Sequence, residues 1–164
     1  MIIRRKFVGG KALSDRVPPL TDKRKIRLSD FVIAVEKFCE SDLSGIAELK
    51  LFGNIPRGYV INISTERTAY LLKLMIKLSG EDGQTFIVAS MTDDALLLGF
   101  RLSNRLPELS EIEEIREVGL SAGFDITVSE GTIFALTEIK TGDAALGATS
   151  AADFLSTIAS VFYD

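Results

Sequence analysis

Apolar residues recur every three or four positions in four stretches of the chain, which is the period of an amphipathic helix. These stretches lie near residues 29–44, 64–79, 109–123 and 150–163. Ser29 is the expected N-cap of the first helix, with Leu28 placed to pack against Ile33. The second helix is apolar round most of its circumference, and we expect its Lys73 and Lys77 to remain exposed.

Apolar and polar residues alternate between the helices, a pattern typical of half-buried strands. Short strands are expected at residues 2–8, 47–51, 59–63, 84–90, 95–102, 124–129 and 132–140. Turns at residues 53–58, 92–94 and 130–131 are expected to join consecutive strands into pairs. The segment from Gly9 to Lys25 contains Pro18-Pro19 and is interpreted as a loop, because a proline pair resists helix.

Pairs of strands separated by single helices predict an α/β (α+β) fold. We expect a two-layer sandwich whose mixed, mainly antiparallel sheet is covered by helices on one face. Residues 1–27 would form a basic N-terminal strand and strap, residues 28–140 the sandwich, and residues 141–164 a linker and C-terminal helix packed on the same domain. The apolar positions from Phe154 to Phe162 would offer a contact face only if the core leaves them uncovered.

The composition excludes several classes of chemistry. The 164 residues include no histidine and one cysteine, so Ser-His and Cys-His catalysis, histidine metal ligation and an intrachain disulfide are excluded. Cys39 is expected to behave as a small buried apolar residue. The chain contains neither a secretory signal nor an apolar run of about 18 residues, so we expect a cytoplasmic protein without a membrane span.

The net charge of −4 conceals two regions of opposite sign. Residues 1–27 carry nine basic and two acidic residues, a net charge of +7, whereas residues 28–164 carry 10 basic and 21 acidic residues, a net charge of −11. Three interpretations of the basic arm stay open: an intramolecular or inter-subunit strap, a docking site for a protein partner, and a nucleic-acid contact. The acidic body and the single aromatic Phe7 argue against the third. The candidate partner-binding residues of this arm are Arg4, Arg5, Lys23, Arg24, Lys25 and Arg27.

Glutamates on the third predicted helix form an acidic counterpart to the arm. Glu113 and Glu117 lie one turn apart with Glu114 beside them and no lysine between. This face is either solvated or a docking surface for a basic partner, including the chain's own arm. No pair of carboxylates is expected in a cleft, as general acid–base catalysis requires, so no catalytic residue is assigned.

The segment from Gly142 to Ser150 has the spacing of a phosphate-binding Walker A loop between a predicted strand and helix. Ala148 occupies the position of the phosphate-binding lysine, and Asp143 would repel phosphate. We therefore interpret the segment as a connector in which Thr149 or Ser150 caps the last helix.

The order of elements from Asp30 to Lys140 resembles the ATP-binding domain of histidine kinases, part of the gyrase, chaperone and kinase ATPase superfamily. The run from Ser64 to Leu78 resembles the helix that carries the family's metal-chelating asparagine. The segments Phe124–Val128 and Gly131–Leu136 resemble the family's closing hairpin and its Gly-Thr-Phe-like signature. The resemblance covers about two thirds of the chain and implies a sandwich related to nucleotide-binding domains.

Three departures from the family's pattern imply that nucleotide binding is lost. Leu78 stands at the position of the Mg²⁺-binding asparagine, and leucine offers no oxygen to a hard cation. The segment from Arg101 to Leu106 stands at the position of the adenine-binding Asp-x-Gly-x-Gly box and contains neither a carboxylate nor a glycine. Only about Asn104 to Leu109 remains for the flexible ATP lid.

We therefore expect a non-catalytic regulatory domain for signalling that uses no cofactor and no metal. It would act through a protein partner or through self-association. Two alternatives stay open: an atypical ATP-binding, kinase-like protein, and a nucleic-acid-binding accessory protein that uses the basic arm. Nucleic acid is the less favoured partner.

Overall fold

The computed structural model describes residues 7–80, 82–103, 105–142 and 148–163. The described chain contains four helices and nine strands. The helices are α1 (Leu28–Glu40), α2 (Thr65–Leu78), α3 (Leu109–Ala122) and α4 (Ala151–Tyr163). The strands are β1 (Phe7–Val8), β2 (Lys11–Ala12), β3 (Arg24–Arg27), β4 (Ala47–Phe52), β5 (Tyr59–Ile63), β6 (Thr85–Met91), β7 (Ala95–Leu102), β8 (Asp125–Ser129) and β9 (Thr132–Thr141).

Seven strands form one mixed, mainly antiparallel sheet in the order β3-β5-β9-β7-β6-β4, with β8 also paired to β9. Only the pair β4–β6 is parallel among the pairs described. The two predicted hairpins β6–β7 and β8–β9 are confirmed. Glu130 and Gly131 turn the second hairpin with φ values of 49° and 78°, the left-handed region that a tight two-residue turn requires.

The predicted pairing of β4 with β5 is wrong. β4 lies at one edge of the sheet beside β6, whereas β5 lies near the opposite edge between β3 and β9. Alternation of apolar and polar residues fixes which face of a strand is buried, but it carries no information on which strand lies alongside. The segment between β4 and β5 is therefore a connection across the sheet and not a hairpin turn.

The expected loop from Gly9 to Lys25 also needs correction. β1 pairs with β2 in a separate two-stranded sheet, and β3 joins the main sheet antiparallel to β5. β3 has only one buried residue, Ile26, so backbone pairing at the edge of a sheet stabilises it without an apolar pattern. The predicted first strand lies outside the described residues from position 2 to position 6.

The helices lie on one face of the sheet, which confirms the predicted two-layer sandwich. α4 packs between α1 and α2, with Phe154 stacked on Phe31 at 5.4 Å and Phe162 edge-on to Phe38 at 4.8 Å between ring centroids. These contacts place the apolar side of α4 inside the core. None of the helices in the described ranges is long and apolar enough to cross a membrane.

The N-termini of α1 and α2 compare differently with the sequence expectations. The second helix was expected to begin near Ser64, and Ser64 caps α2 by accepting a hydrogen bond from the amide of Arg67. α1 instead begins at Leu28 with Arg27 as N-cap, so the prediction of Ser29 is wrong. Leu28 is buried as the first residue of the helix, and Ile33 is 41% exposed. β3 runs directly into α1, so the end of the strand and not a capping side chain sets where the helix begins.

Lys73 corrects another expectation, because it is fully buried whereas Lys77 is exposed as predicted. Its Nζ donates hydrogen bonds to the carbonyl oxygens of Arg16 at 2.9 Å and Val161 at 3.0 Å, and lies 5.2 Å from the centre of the Tyr70 ring. The N-terminal segment and the end of α4 cover this side of α2. A buried ammonium group is tolerated there because backbone carbonyls replace its water.

Candidate functional site

The C-terminal end of α2 holds the position at which the resemblance implies a metal-binding asparagine. Leu78 is the last residue of the helix and packs, partly buried, against the core. The following Ser79 turns inward, and its Oγ donates a hydrogen bond to the carbonyl oxygen of Ile76 at 2.7 Å. The side chain at position 78 therefore contributes packing and offers no oxygen to a hard cation.

The segment after β7 is occupied by contacts within the chain. Ser103 closes the β6–β7 ladder: its amide donates to the carbonyl of Gln84, and its Oγ accepts from the amide of Gln84, both at 2.9 Å. Arg105 forms an ion pair with Glu111 on α3. Asn104 lies outside the described residues. The side chains of Ser103 and Arg105 in this short connection between β7 and α3 are thus engaged in contacts within the chain.

The N-terminus of α3 is closed by two carboxylates. Glu111 accepts a hydrogen bond from the amide of Glu108 at 2.8 Å, and Glu108 accepts one in return from the backbone of Glu111. A free helix N-terminus attracts anions because its amides are unpaired and its dipole is positive. Here the two glutamates already occupy that end, so a phosphate approaching it would meet negative charge.

The N-terminus of α2 carries a second hydrogen-bonded carboxylate, Glu66. Thr21 Oγ1 lies 2.8 Å from Ser64 Oγ and donates to Glu66 at 2.7 Å, and Thr65 Oγ1 donates to Glu66 at 3.0 Å. Burial by itself would raise the pKa of Glu66, but these hydrogen bonds, its own backbone amide and the charge of Arg24 hold that pKa below its ordinary value. Arg24 of the candidate set thus acts on a carboxylate of α2.

The other basic candidates are distributed along β3. Lys23 and Lys25 line a groove of about 420 Å³ with Lys140 and the acidic Asp125 and Glu138. This groove forms where β9 changes partner, because β8 pairs with residues 132–136 of β9 and β5 with residues 139–141. The groove is therefore lined by both basic and acidic side chains.

Arg27 lies outside that groove and forms an ion pair with Asp30 at 3.7 Å. Arg4 and Arg5 lie outside the described residues. Among the described basic candidates, Lys23 and Lys25 therefore share a groove, whereas Arg24 and Arg27 each have a different acidic neighbour.

The acidic candidates lie together on the outer side of α3. Glu113, Glu114 and Glu117 are all exposed. Glu114 also faces Tyr70, whose pKa is raised by burial first and by the charge of Glu114 second. In the described part of the chain, no ion pair joins these glutamates to the basic residues of β3.

The Walker-like segment lies largely outside the described residues, from position 143 to position 147. Thr149 and Ser150, which the structure does describe, form hydrogen bonds within the fold. The amide of Thr149 donates to the carbonyl of Lys25 at 2.9 Å and Thr149 bridges to Ile26, which extends the sheet beyond β3. Ser150 Oγ accepts from the amide of Asp153 at 3.1 Å and so caps α4, as one of the two predicted caps.

A groove that sequence reasoning missed runs beside β4, and we call it the β4 groove. It has a volume of about 620 Å³. Glu36, Cys39 and Glu40 of α1 form one wall, and β4 forms the other. Burial, with the charges of Glu36 and Glu40 adding to it, raises the pKa of Cys39 to about 12. The sequence shows the two glutamates one turn apart on α1, but it does not show that β4 lies at a free edge of the sheet opposite them.

No protein-family profile and no curated protein sequence matches the chain. Matching solved structures include histidine kinase domains. The nucleotide-free catalytic domain of histidine kinase ThkA is similar with a TM-score of 0.46 and 11% identity, over 74% of this chain and 97% of that chain. The cytoplasmic segment of histidine kinase QseC is similar with a TM-score of 0.44 and 10% identity, over 79% of this chain and 84% of that chain.

A third similar structure is histidine kinase ThkA in complex with response regulator protein TrrA. Its TM-score is 0.46 and its identity 12%, over 76% of this chain and 43% of that chain. The matches agree with the resemblance that the element order indicates. At these scores and identities they carry no functional conclusion, which rests on the residues of this chain.

Proposed function

We propose that the chain is a non-catalytic, intracellular binding domain, related in fold to histidine kinase ATP-binding domains, that has lost nucleotide binding and acts by docking on a protein partner. The observation that carries the proposal is the closed N-terminus of α3. Glu108 and Glu111 bond each other's backbone amides there, and Arg105 is held by Glu111. A nucleotide phosphate placed at that end would lose the amides and meet carboxylates.

The end of α2 supports the same conclusion. A magnesium ion that accompanies a nucleotide needs oxygen ligands, and the side chain of Leu78 supplies none. The loop that would enclose adenine is short, and Ser103 within it is committed to Gln84. Three parts of the expected nucleotide site therefore serve the packing of the domain.

Support for docking comes from the face of the sheet opposite the helices. Phe86 and Leu136 on that face are 38% and 39% exposed, and Val88, Leu97 and Phe134 lie between them, partly covered. Ser90, Arg101 and Thr132 border this apolar patch, and an exposed apolar patch with a polar border is typical of a surface that binds protein. Because Lys23, Lys25 and Lys140 share their groove with Asp125 and Glu138, the basic residues favour a polyanion less.

Thermal unfolding in the presence of Mg-ATP tests the proposal. A ligand at 100 times its Kd stabilises a protein by about 2.7 kcal/mol, which raises the Tm of a chain of this size by about 5–10 °C. We expect Mg-ATP at millimolar concentration to shift Tm by less than about 1 °C relative to magnesium tripolyphosphate at equal ionic strength. A saturable rise specific to ATP would contradict the loss of nucleotide binding.

A further inference from the structure

The outer edge of β4 is open. β4 ends the strand order, and no strand of the described ranges lies on its outer side. The amide of Thr85 donates to the carbonyl of Ile46 at 2.9 Å, so the backbone groups of Ile46, Glu48 and Lys50 face β6. Since N–H and C=O groups alternate in direction along a strand, those of Leu49 and Leu51 point outward.

The opposite edge of the sheet is closed in a different way. There Thr149 bridges to Ile26 and its amide donates to the carbonyl of Lys25, so β3 has a neighbour. Two residues of β4 thus offer two free amides and two free carbonyls, whereas β3 is partly covered. An open strand edge is a template for a further strand.

The β4 groove gives that edge a side wall and a floor. α1 stands beside the strand, and the side chains of Ala47, Leu49 and Leu51 point into the space between them. Leu51 is 39% exposed and Leu49 is partly buried. An extended peptide in this position would bond the edge with its backbone and place every second side chain on the α1 side, over these apolar residues and beside the α1 wall.

The charge of the groove indicates what that peptide is like. Glu36 and Glu40 of α1 line it, and none of its lining residues, all within the described chain, is a lysine or arginine. Neither carboxylate forms an ion pair with a described residue. Glu48 and Lys50 share the other face of the sheet with Phe86 and Val88, and their side chains point away from α1.

We propose that the outer edge of β4 is a docking site for an extended, basic segment of a protein partner, which adds as a further strand and sets lysine or arginine side chains beside Glu36 and Glu40. This inference rests on the proposed binding function and names the chemistry of the partner. A second copy of the chain fits less well, because pairing two β4 edges would bring two acidic α1 walls together.

Binding of a fluorescent peptide tests the docking site. The probe is a peptide of about seven residues in which arginine alternates with valine, enough to span a strand of ordinary length. We expect saturable binding by fluorescence anisotropy. A peptide with glutamate in place of arginine, and a peptide with alternate N-methylated amides, should each bind at least about tenfold more weakly, a loss of about 1.4 kcal/mol.

Two charge-reversal variants separate this groove from the acidic face of α3. Glu36→Lys with Glu40→Lys changes the wall of the β4 groove, and Glu113→Lys with Glu117→Lys makes the same change at the same spacing on α3. We expect the first to weaken binding of the arginine–valine peptide by at least about tenfold and the second by less than about twofold. Circular dichroism and the urea midpoint check that both remain folded.

Hydrogen exchange of individual amides places the peptide on the strand. In the free protein the amides of Leu49 and Leu51 should exchange faster than those of Glu48 and Lys50, and the peptide should slow the first pair only. Equal binding of the N-methylated peptide, unchanged exchange at Leu49 and Leu51, or a greater loss in the α3 variant would each overturn the inference. These outcomes leave the Mg-ATP result untouched, so failure of the docking site and of the proposed function are distinguishable.

Discussion

At the residue scale, polar side chains attach the N-terminal segment to α2. Lys73 holds the carbonyl of Arg16 and that of Val161 together, and Thr21 bonds both Ser64 and Glu66. Sequence reasoning placed Lys73 in water, because a helical pattern alone does not show which loop covers a helix. These bonds explain how a segment with few apolar residues becomes part of the fold.

Replacing Lys73 by methionine tests the first attachment. Lys73→Met keeps the length of the side chain but loses the hydrogen bonds to Arg16 and Val161, so we expect the free energy of unfolding to fall by about 2–3 kcal/mol. Lys77→Met, one turn later, loses only an exposed contact with Asp15 and should cost less than about 1 kcal/mol. Urea unfolding measures both. Equal decreases in the free energy of unfolding would mean that the buried hydrogen bonds of Lys73 stabilise the fold no more than the exposed contact of Lys77 does.

The pKa of Glu66 gives a pH-dependent prediction. The pKa of Glu66 is lower in the folded chain than its ordinary value of 4.5. The ionised carboxylate therefore stabilises the fold above about pH 4.5, and this stabilisation is lost as the pH falls through the lower pKa of the folded chain. Thr21→Val removes one cause and should lower the free energy of unfolding by about 1 kcal/mol at pH 7. The loss should be smaller at about pH 3, where Glu66 is protonated in the unfolded chain.

Chemical denaturation at the two pH values measures the effect, with Thr21→Ser as the control because it keeps the hydroxyl. A loss that is the same at both pH values would assign the role of Thr21 to its bond with Ser64 alone.

At the element scale, local signals were sufficient where neighbours in sequence are neighbours in space. The hairpins β6–β7 and β8–β9, the cap of α2 by Ser64 and the end of α3 before Gly123 all follow from residues a few positions apart. β3 and the partners of β4 were not predicted, since strand pairing between distant segments leaves no trace in the alternation of residues. The β4 groove depends on that pairing, and for that reason it was missed.

Gly119 tests the contact between α3 and the closing hairpin. A Cβ at this position would lie 2.7 Å from Cδ1 of Ile126, a buried side chain of β8. Alanine favours helix over glycine by about 1 kcal/mol. We nevertheless expect Gly119→Ala to destabilise the fold by about 1–3 kcal/mol, because the overpacked side chains must shift.

The double variant Gly119→Ala with Ile126→Ala separates the two effects. Removing the isoleucine relieves the clash, so Gly119→Ala should cost less in that background, and the difference between the two costs measures the contact. Equilibrium unfolding in urea gives all four values. Additive costs would show that Gly119 is not required for close packing on Ile126.

At the scale of the whole molecule, the order of elements predicted the architecture, because strand pairs separated by single helices have few ways to bury their apolar faces. It did not predict the surfaces. The basic and acidic candidates proved to have separate neighbours, and the free edge of β4 emerged only from the assembled sheet. A sandwich with helices on one face leaves its other face and the outer edge of β4 uncovered by described strands or helices.

The loss of nucleotide binding is the central claim, and amide-resolved NMR during titration with Mg-ATP tests it most directly. The amides to follow are those of Leu78, Ser103, Glu108 and Glu111, at the end of α2, after β7 and at the N-terminus of α3. The account predicts no saturable shift of these amides beyond that caused by magnesium and salt alone. Saturable shifts clustered at these four residues would contradict it.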